Sequence, residues 1–238
     1  EMARYLSDAE RQTIVHWIDN RAPRGDDELD PLAEHAEKLK GETTDWILGD
    51  PDFIVSTDSN AVPSTGVMDY LYSDVELPFA EDRWLRALQF KPGDSSVLHH
   101  LMAFVTDPEE DFWGEERNKE VAVRRFVEGF SPGSQTVTEF DLETGVFIPA
   151  GHRLSLQFHY VTNGQSTEDI TQIGLYFADA PPKSEQLVIA LSKRFVLPPN
   201  KPNFELEAEH VVGQDIVVTG VRARRSYRGK KNEICCLR

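Results

Sequence analysis

Cysteine is nearly missing from this chain of 238 residues: there are two, the neighbours Cys235 and Cys236. That excludes a disulfide framework, a cysteine-built zinc site and a haem-attachment Cys-x-x-Cys-His. A bridge between adjacent cysteines is strained, so free thiols are expected there. Long hydrophobic runs are missing as well. No stretch approaches the ~20 apolar residues that a membrane helix needs. Basic charge is scarce: 25 Lys and Arg stand against 41 Asp and Glu, a formal charge of -16. Such a surface disfavours nucleic acid and anionic membranes and draws metal cations and cationic partners. The start, Glu1-Met2-Ala3-Arg4, lacks the basic and apolar regions of a signal peptide and reads as a mature chain or a fragment.

What is present is the composition of a folded chain, 39% apolar and 28% charged, long enough to bury a substantial core. Residues 6–20 read as a helix, with Ser7 and Glu10 as a capping box and Ile14, Trp17 and Ile18 on one face. Asn20 and the turn from Ala22 to Asp26 stop it. His16 reads as a surface or packing residue. Residues 21–45 are polar and acidic, with a short helix expected over 32–39, Gly41 as its stop, and His35 on a solvated face. Residues 1–45 therefore form an N-terminal helical segment and linker.

From Trp46 the pattern changes to short apolar runs between turn signals such as Lys91-Pro92-Gly93-Asp94 and Thr162-Asn163-Gly164. Strands are expected at 67–75, 83–90, 97–105, 136–140, 154–161, 170–177 and 186–196. This spacing indicates an all-β, antiparallel sandwich or jelly roll over residues 46–196. Residues 107–125 interrupt it as a loop with a short helix. Residues 197–238 start a second, partial β unit, with strands expected at 204–208 and 215–221 and a basic tail from Arg222.

Two stretches carry the chemistry. In 96–105 the adjacent His99 and His100 stand inside an apolar run. Burying two imidazoles side by side is costly unless something binds them, and a transition metal is the simplest candidate. In 154–161, alternation places Leu154, Leu156, Phe158 and Tyr160 on one face, and Gln157 and His159 on the other. His159 is thus a third candidate ligand, with Gln157 beside it to orient a ligand or a water. In a regular strand His99 and His100 point to opposite faces, so sharing one ion requires a bulge or a strand end. The bland alternative keeps one histidine in the core and the other in solvent. Three imidazoles without carboxylate or thiolate suit copper or zinc. His152, on a turn, and His210, in the second unit, read as structural or exposed. Met102 reads equally as core packing or as a weak axial contact.

The stretches Val97-Leu98-His99-His100-Leu101 and Leu154-Ser155-Leu156-Gln157-Phe158-His159-Tyr160 resemble the first copper-site motifs of the type II, ascorbate-dependent copper monooxygenases, the family of peptidylglycine hydroxylating and dopamine β-monooxygenases. The segment 170–177, with Trp84 and Lys91-Pro92-Gly93, adds to the likeness, which spans roughly 46–238 and is strongest over 84–177. The helix with Trp17-Ile18-Asp19 resembles the last helix of a bacterial cytochrome c domain sometimes found ahead of such enzymes, without any haem-ligand motif. The resemblance implies two successive jelly-roll domains with one copper each. It implies His99, His100 and His159 as ligands of the first, electron-transferring copper, reduced by ascorbate or a protein donor, in a periplasmic or secreted protein. The family's second, oxygen-activating copper takes a His-x-His and a distant Met. Here Arg224 and Ser226 occupy those histidine positions, and guanidinium does not ligate metals at ordinary pH. The sequence also stops before any such Met, so the second domain reads as degenerate and truncated.

Three functions follow. One is an enzyme of the monooxygenase class, or a divergent member with other single-copper redox chemistry and a degenerate oxygen-activating site. Another is a non-catalytic copper-binding or electron-transfer domain. The last is a metal-free β-sandwich that serves as an interaction module.

Overall fold

The computed structural model of the protein describes residues 6–23, 25, 46–113, 125–141, 143–188, 196–201, 203–213, 215–220, 231 and 233. Helix α1 (Asp8–Asp19) starts at the expected capping box: the Ser7 N–H donates to Glu10 Oε2 at 2.7 Å, and the Glu10 N–H donates to Ser7 Oγ at 3.3 Å. Its apolar residues Ile14, Trp17 and Ile18 are exposed, and no residue of α1 is buried. The helix expected at 32–39 lies outside the described residues.

Beyond Trp46 the elements among the described residues are all strands. In order, the strands are β1 (Phe53–Ser56), β2 (Asn60–Val62), β3 (Leu71–Glu76), β4 (Arg83–Lys91), β5 (Leu98–Thr106), β6 (Phe126–Phe130), β7 (Val137–Glu139), β8 (Thr144–Ile148), β9 (Arg153–Tyr160), β10 (Thr167–Asp169), β11 (Gln172–Phe177) and β12 (Ser184–Glu185). One sheet runs β1-β11-β4-β8-β12, with β7 also on β4; a second runs β3-β9-β5-β6; β10 and β2 form a small pair. All pairings are antiparallel except β12 on β8.

A single apolar cluster joins the two large sheets. Leu85, Leu88, Phe90, Ile148, Ile173 and Leu175 of the first meet Leu98, Leu101, Leu154, Leu156, Phe158 and Tyr160 of the second, all at most 2% exposed. This is sandwich-like packing, in which one face of each sheet is removed from water. The outer face of the second sheet carries polar residues, among them Ser155 and Gln157, beside a small apolar cluster around Phe104 and Phe112.

Five expected strands form close to their anticipated limits, as β4, β5, β7, β9 and β11. The run expected at 67–75 is shorter, because Val67 is 99% exposed and pairing with β9 begins only at Leu71. At 186–196, residues 186–188 are irregular and 189–195 lie outside the described residues. The strands expected at 204–208 and 215–221 are not formed among the described residues, which stop at 220 there: Leu206 and Val217 are 43% and 86% exposed, and no described sheet edge meets them. Alternation alone does not make a strand when its N–H and C=O groups find no partner edge. β1, β2, β6, β8, β10 and β12 have no counterpart among the expected strands; each has two to five residues, too few to show a period. Among the described residues, no helix is long and apolar enough to cross a membrane.

Candidate metal centre

β9 alternates as its sequence predicts. Leu154, Leu156, Phe158 and Tyr160 enter the core, leaving Arg153, Ser155, Gln157 and His159 on the outer face. β5 does not alternate throughout. Leu98 and Leu101 are both buried in the core although they stand three apart, an odd interval that a regular strand forbids. The register explains this: Leu98 faces Tyr160 and His100 faces His159, so His99 is an extra residue. This is a β-bulge, two residues on one strand opposing one on the other. All three positions of that bulge are histidines.

The bulge sends His99 and His100 to the same side. His99 Nδ1 lies 3.1 Å from His100 Nδ1 and 3.3 Å from His159 Nδ1. One ring nitrogen from each residue falls within 4.8 Å of the other two. His100 is buried, His159 half-buried and His99 exposed, so the cluster opens toward solvent on one side. Around an ion bound at about 2.0–2.1 Å, adjacent tetrahedral nitrogens stand about 3.3–3.4 Å apart. The spacings from His99 to its two neighbours, 3.1 and 3.3 Å, lie close to that edge.

Hydrogen bonding alone serves the cluster poorly. Each ring nitrogen has one in-plane position, filled by a proton or by a lone pair. His99 Nδ1 touches two nitrogens and so makes a good hydrogen bond to only one of them. A cation uses all three lone pairs at once. Burial, and secondarily the neighbouring His99, holds the His159 imidazole below its usual pKa, which keeps it neutral and able to donate its lone pair. With three ring nitrogens this close together, the group can hold a metal ion of the imidazole-loving kind.

Tyr70 completes one wall. It precedes β3, whose register pairs Leu71 with Phe158, so position 70 arrives beside His159. Its ring stacks on His159 at 4.9 Å between centroids, with 23° between planes, and lies 5.7 Å from His100. Sequence reasoning missed this residue, because no spacing within 67–75 ties it to position 159.

Gln157 lies where alternation placed it, on the face of His159 and largely buried, opposite Met102 on β5. Met102 packs against Phe104 and Phe112, in a small aromatic cluster with Trp113 and Phe126. That favours packing over axial ligation for this thioether. His16 and His210 are exposed, and His152 sits on the turn before β9, its ring 3.5 Å from the Ala150 carbonyl; none of the three belongs to the cluster. His35, Arg224 and Ser226 lie outside the described residues.

No family model matches the chain, and no curated protein matches it.

Proposed function

We propose that this is a copper-binding redox protein, similar to the electron-transfer domain of the ascorbate-dependent copper monooxygenases and built on a jelly roll. The observation that supports it best is the three-histidine bulge, with ring nitrogens at 3.1 and 3.3 Å. Three imidazoles suit copper or zinc, and copper is preferred here because the two histidine stretches resemble the first copper-site motifs of that family. Such a set accommodates both Cu(I) and Cu(II), and a bound copper would supply one-electron transfer.

The chain's own residues have separate tasks in this reading. His100 and His159 provide the buried side of the centre, and His99 provides the exposed side. Tyr70 restrains the His159 ring by stacking. Gln157 stands beside His159 and orients a ligand or a water there. The solvent-facing side admits a reductant, ascorbate or a protein donor. The Arg224 and Ser226 positions lack the histidines of an oxygen-activating site, which favours electron transfer over hydroxylation. A periplasmic or secreted location goes with this reading, as the resemblance implies.

Copper analysis of loaded and washed protein tests this. One copper per chain is expected, with an X-ray anomalous peak at the copper edge between the three rings, and an EPR signal that ascorbate abolishes. His99→Ala should lose the metal. Protein that retains no copper would leave only the interaction-module reading.

A further inference from the structure

Behind the bulge, on the side away from the three imidazoles, lies a buried carboxylate. Asp169, the last residue of β10, is fully buried. It accepts three hydrogen bonds: at Oδ1 from the Asp94 N–H at 2.8 Å, and at Oδ2 from the Tyr160 hydroxyl and the Thr171 hydroxyl, both at 2.8 Å. A buried carboxylate requires such donors, and charge-assisted bonds of this length are strong.

Two of those donors lead directly to the histidines. Tyr160 follows His159 in the chain and faces Leu98, the last regular rung before the bulge. Its hydroxyl also accepts from Asn60 Nδ2 at 3.1 Å, so the ring is held from two directions. Asp94 organises the turn that enters β5. Its carboxylate accepts from the Ser96 N–H at 3.0 Å, from Ser96 Oγ at 2.6 Å and from Thr167 Oγ1 at 2.9 Å. Its carbonyl accepts from the N–H groups of Val97 and Leu98, both at 3.3 Å. The turn is also pinned by contact: a Cβ on Gly93 would stand 2.8 Å from the backbone of Ile170 and 3.1 Å from Asp169 Oδ1, so only glycine lets it pass so near.

We propose that Asp169 is a positioning residue of the histidine centre. It clamps the turn ahead of His99 and His100 to the tyrosine that follows His159, and so sets how closely the two ligand-bearing strands meet at the bulge. This rests on the metal reading of that centre. Asp169 touches neither the rings nor an ion, so its effect passes through Tyr160 and Asp94. A bulge leaves the ladder locally disrupted, and ring placement there depends on what holds the strands on either side.

The test titrates the full chain with Cu(II) chloride against a competing chelator and records the EPR spectrum at one equivalent. Asp169→Asn keeps the shape but gives up one acceptor oxygen. Tyr160→Phe keeps the ring and removes its hydroxyl. Tyr176→Phe is the control, since it removes one hydrogen bond, to the Gly49 carbonyl, of an equally buried tyrosine on β11 of the other sheet. Asp169→Asn and Tyr160→Phe should each weaken copper binding about tenfold or more and alter the copper hyperfine pattern. Tyr176→Phe should do neither. Should Asp169→Asn fail to fold, Tyr160→Phe decides the matter. Affinity within about twofold of wild type and an unchanged spectrum in Tyr160→Phe would overturn the proposal. Equal weakening in Tyr176→Phe would overturn it too, because general destabilisation would then be the cause. A wild-type chain that takes up no copper overturns the metal reading itself, and is seen before any variant is made.

Discussion

At the residue scale, burial and exposure divide the work of the centre. Tyr70 is 46% exposed, so removing its ring forfeits little core. Yet it is the aromatic stacked on His159, and such pairs contribute about 0.5–1.5 kcal/mol. Tyr70→Leu should therefore change unfolding free energy by no more than about 1 kcal/mol, while weakening copper binding several-fold. Denaturant melts read beside a copper titration would separate the two effects; a large stability loss with unchanged copper binding would refute the assigned role. Tyr160 behaves differently. Burial first, then the Asp169 carboxylate and the bond donated to it, raise its hydroxyl well above the usual phenol pKa. In the unfolded chain the phenol loses its proton near the ordinary value of about 10, whereas the folded chain keeps it. The folded state then binds more protons, so stability is intact below about pH 10 and falls as pH rises above it. Tyr160→Phe should be less stable than wild type at pH 8 by about 1–3 kcal/mol. That gap should narrow between about pH 10 and 11, as measured by urea melts at each pH. A gap that stays constant would show that the hydroxyl is not held protonated.

At the element scale, the central feature is the bulge of β5 against β9. Deleting its extra residue should restore a regular strand. With His99 removed, Leu98 and His100 become neighbours that face Tyr160 and His159 in unbroken register. The deletion should keep the fold, with stability within about 2 kcal/mol of wild type, and lose copper as fully as His99→Ala does. Deleting Met102 instead would move every later residue of β5 to the opposite face and should unfold the sheet. Circular dichroism and thermal melts of the two deletions give the comparison. Identical behaviour would mean that the bulge does not absorb the missing residue. The sequence makes part of this legible. The adjacent histidines demand an irregularity in β5 if they share an ion, and the alternation of Leu154, Leu156, Phe158 and Tyr160 assigns His159 its face. The location of the irregularity is not legible, because it depends on a partner strand about sixty residues away in the chain. The two distal runs at 204–208 and 215–221 show the converse. Their alternation suits a strand, but no sheet edge among the described residues receives them.

At the scale of the whole molecule, a metal that binds only the folded chain stabilises it. Copper at about a hundred times its dissociation constant should add about 2.7 kcal/mol. A rise in Tm that His99→Ala abolishes is the expected result in calorimetry; a shift that persists in the variant would place copper elsewhere. The charge of -16 also bears on assembly with a donor. Reduction by a basic donor protein should slow as salt rises, because exposed charges are screened over about 10 Å at 0.1 M. Reduction by ascorbate, an anion, should quicken instead.

The amino-acid order alone determined the all-β character, the core face of β9 and the identity of three candidate imidazoles, since alternation and side-chain chemistry are local properties of the chain. Tertiary packing decided the rest: the register that makes His99 the extra residue, the approach of Tyr70 to His159, and the burial of Asp169 behind both. Each of these joins segments far apart in the chain. Their relative placement follows from how the apolar faces of two sheets fill one core, and no single segment contains that information.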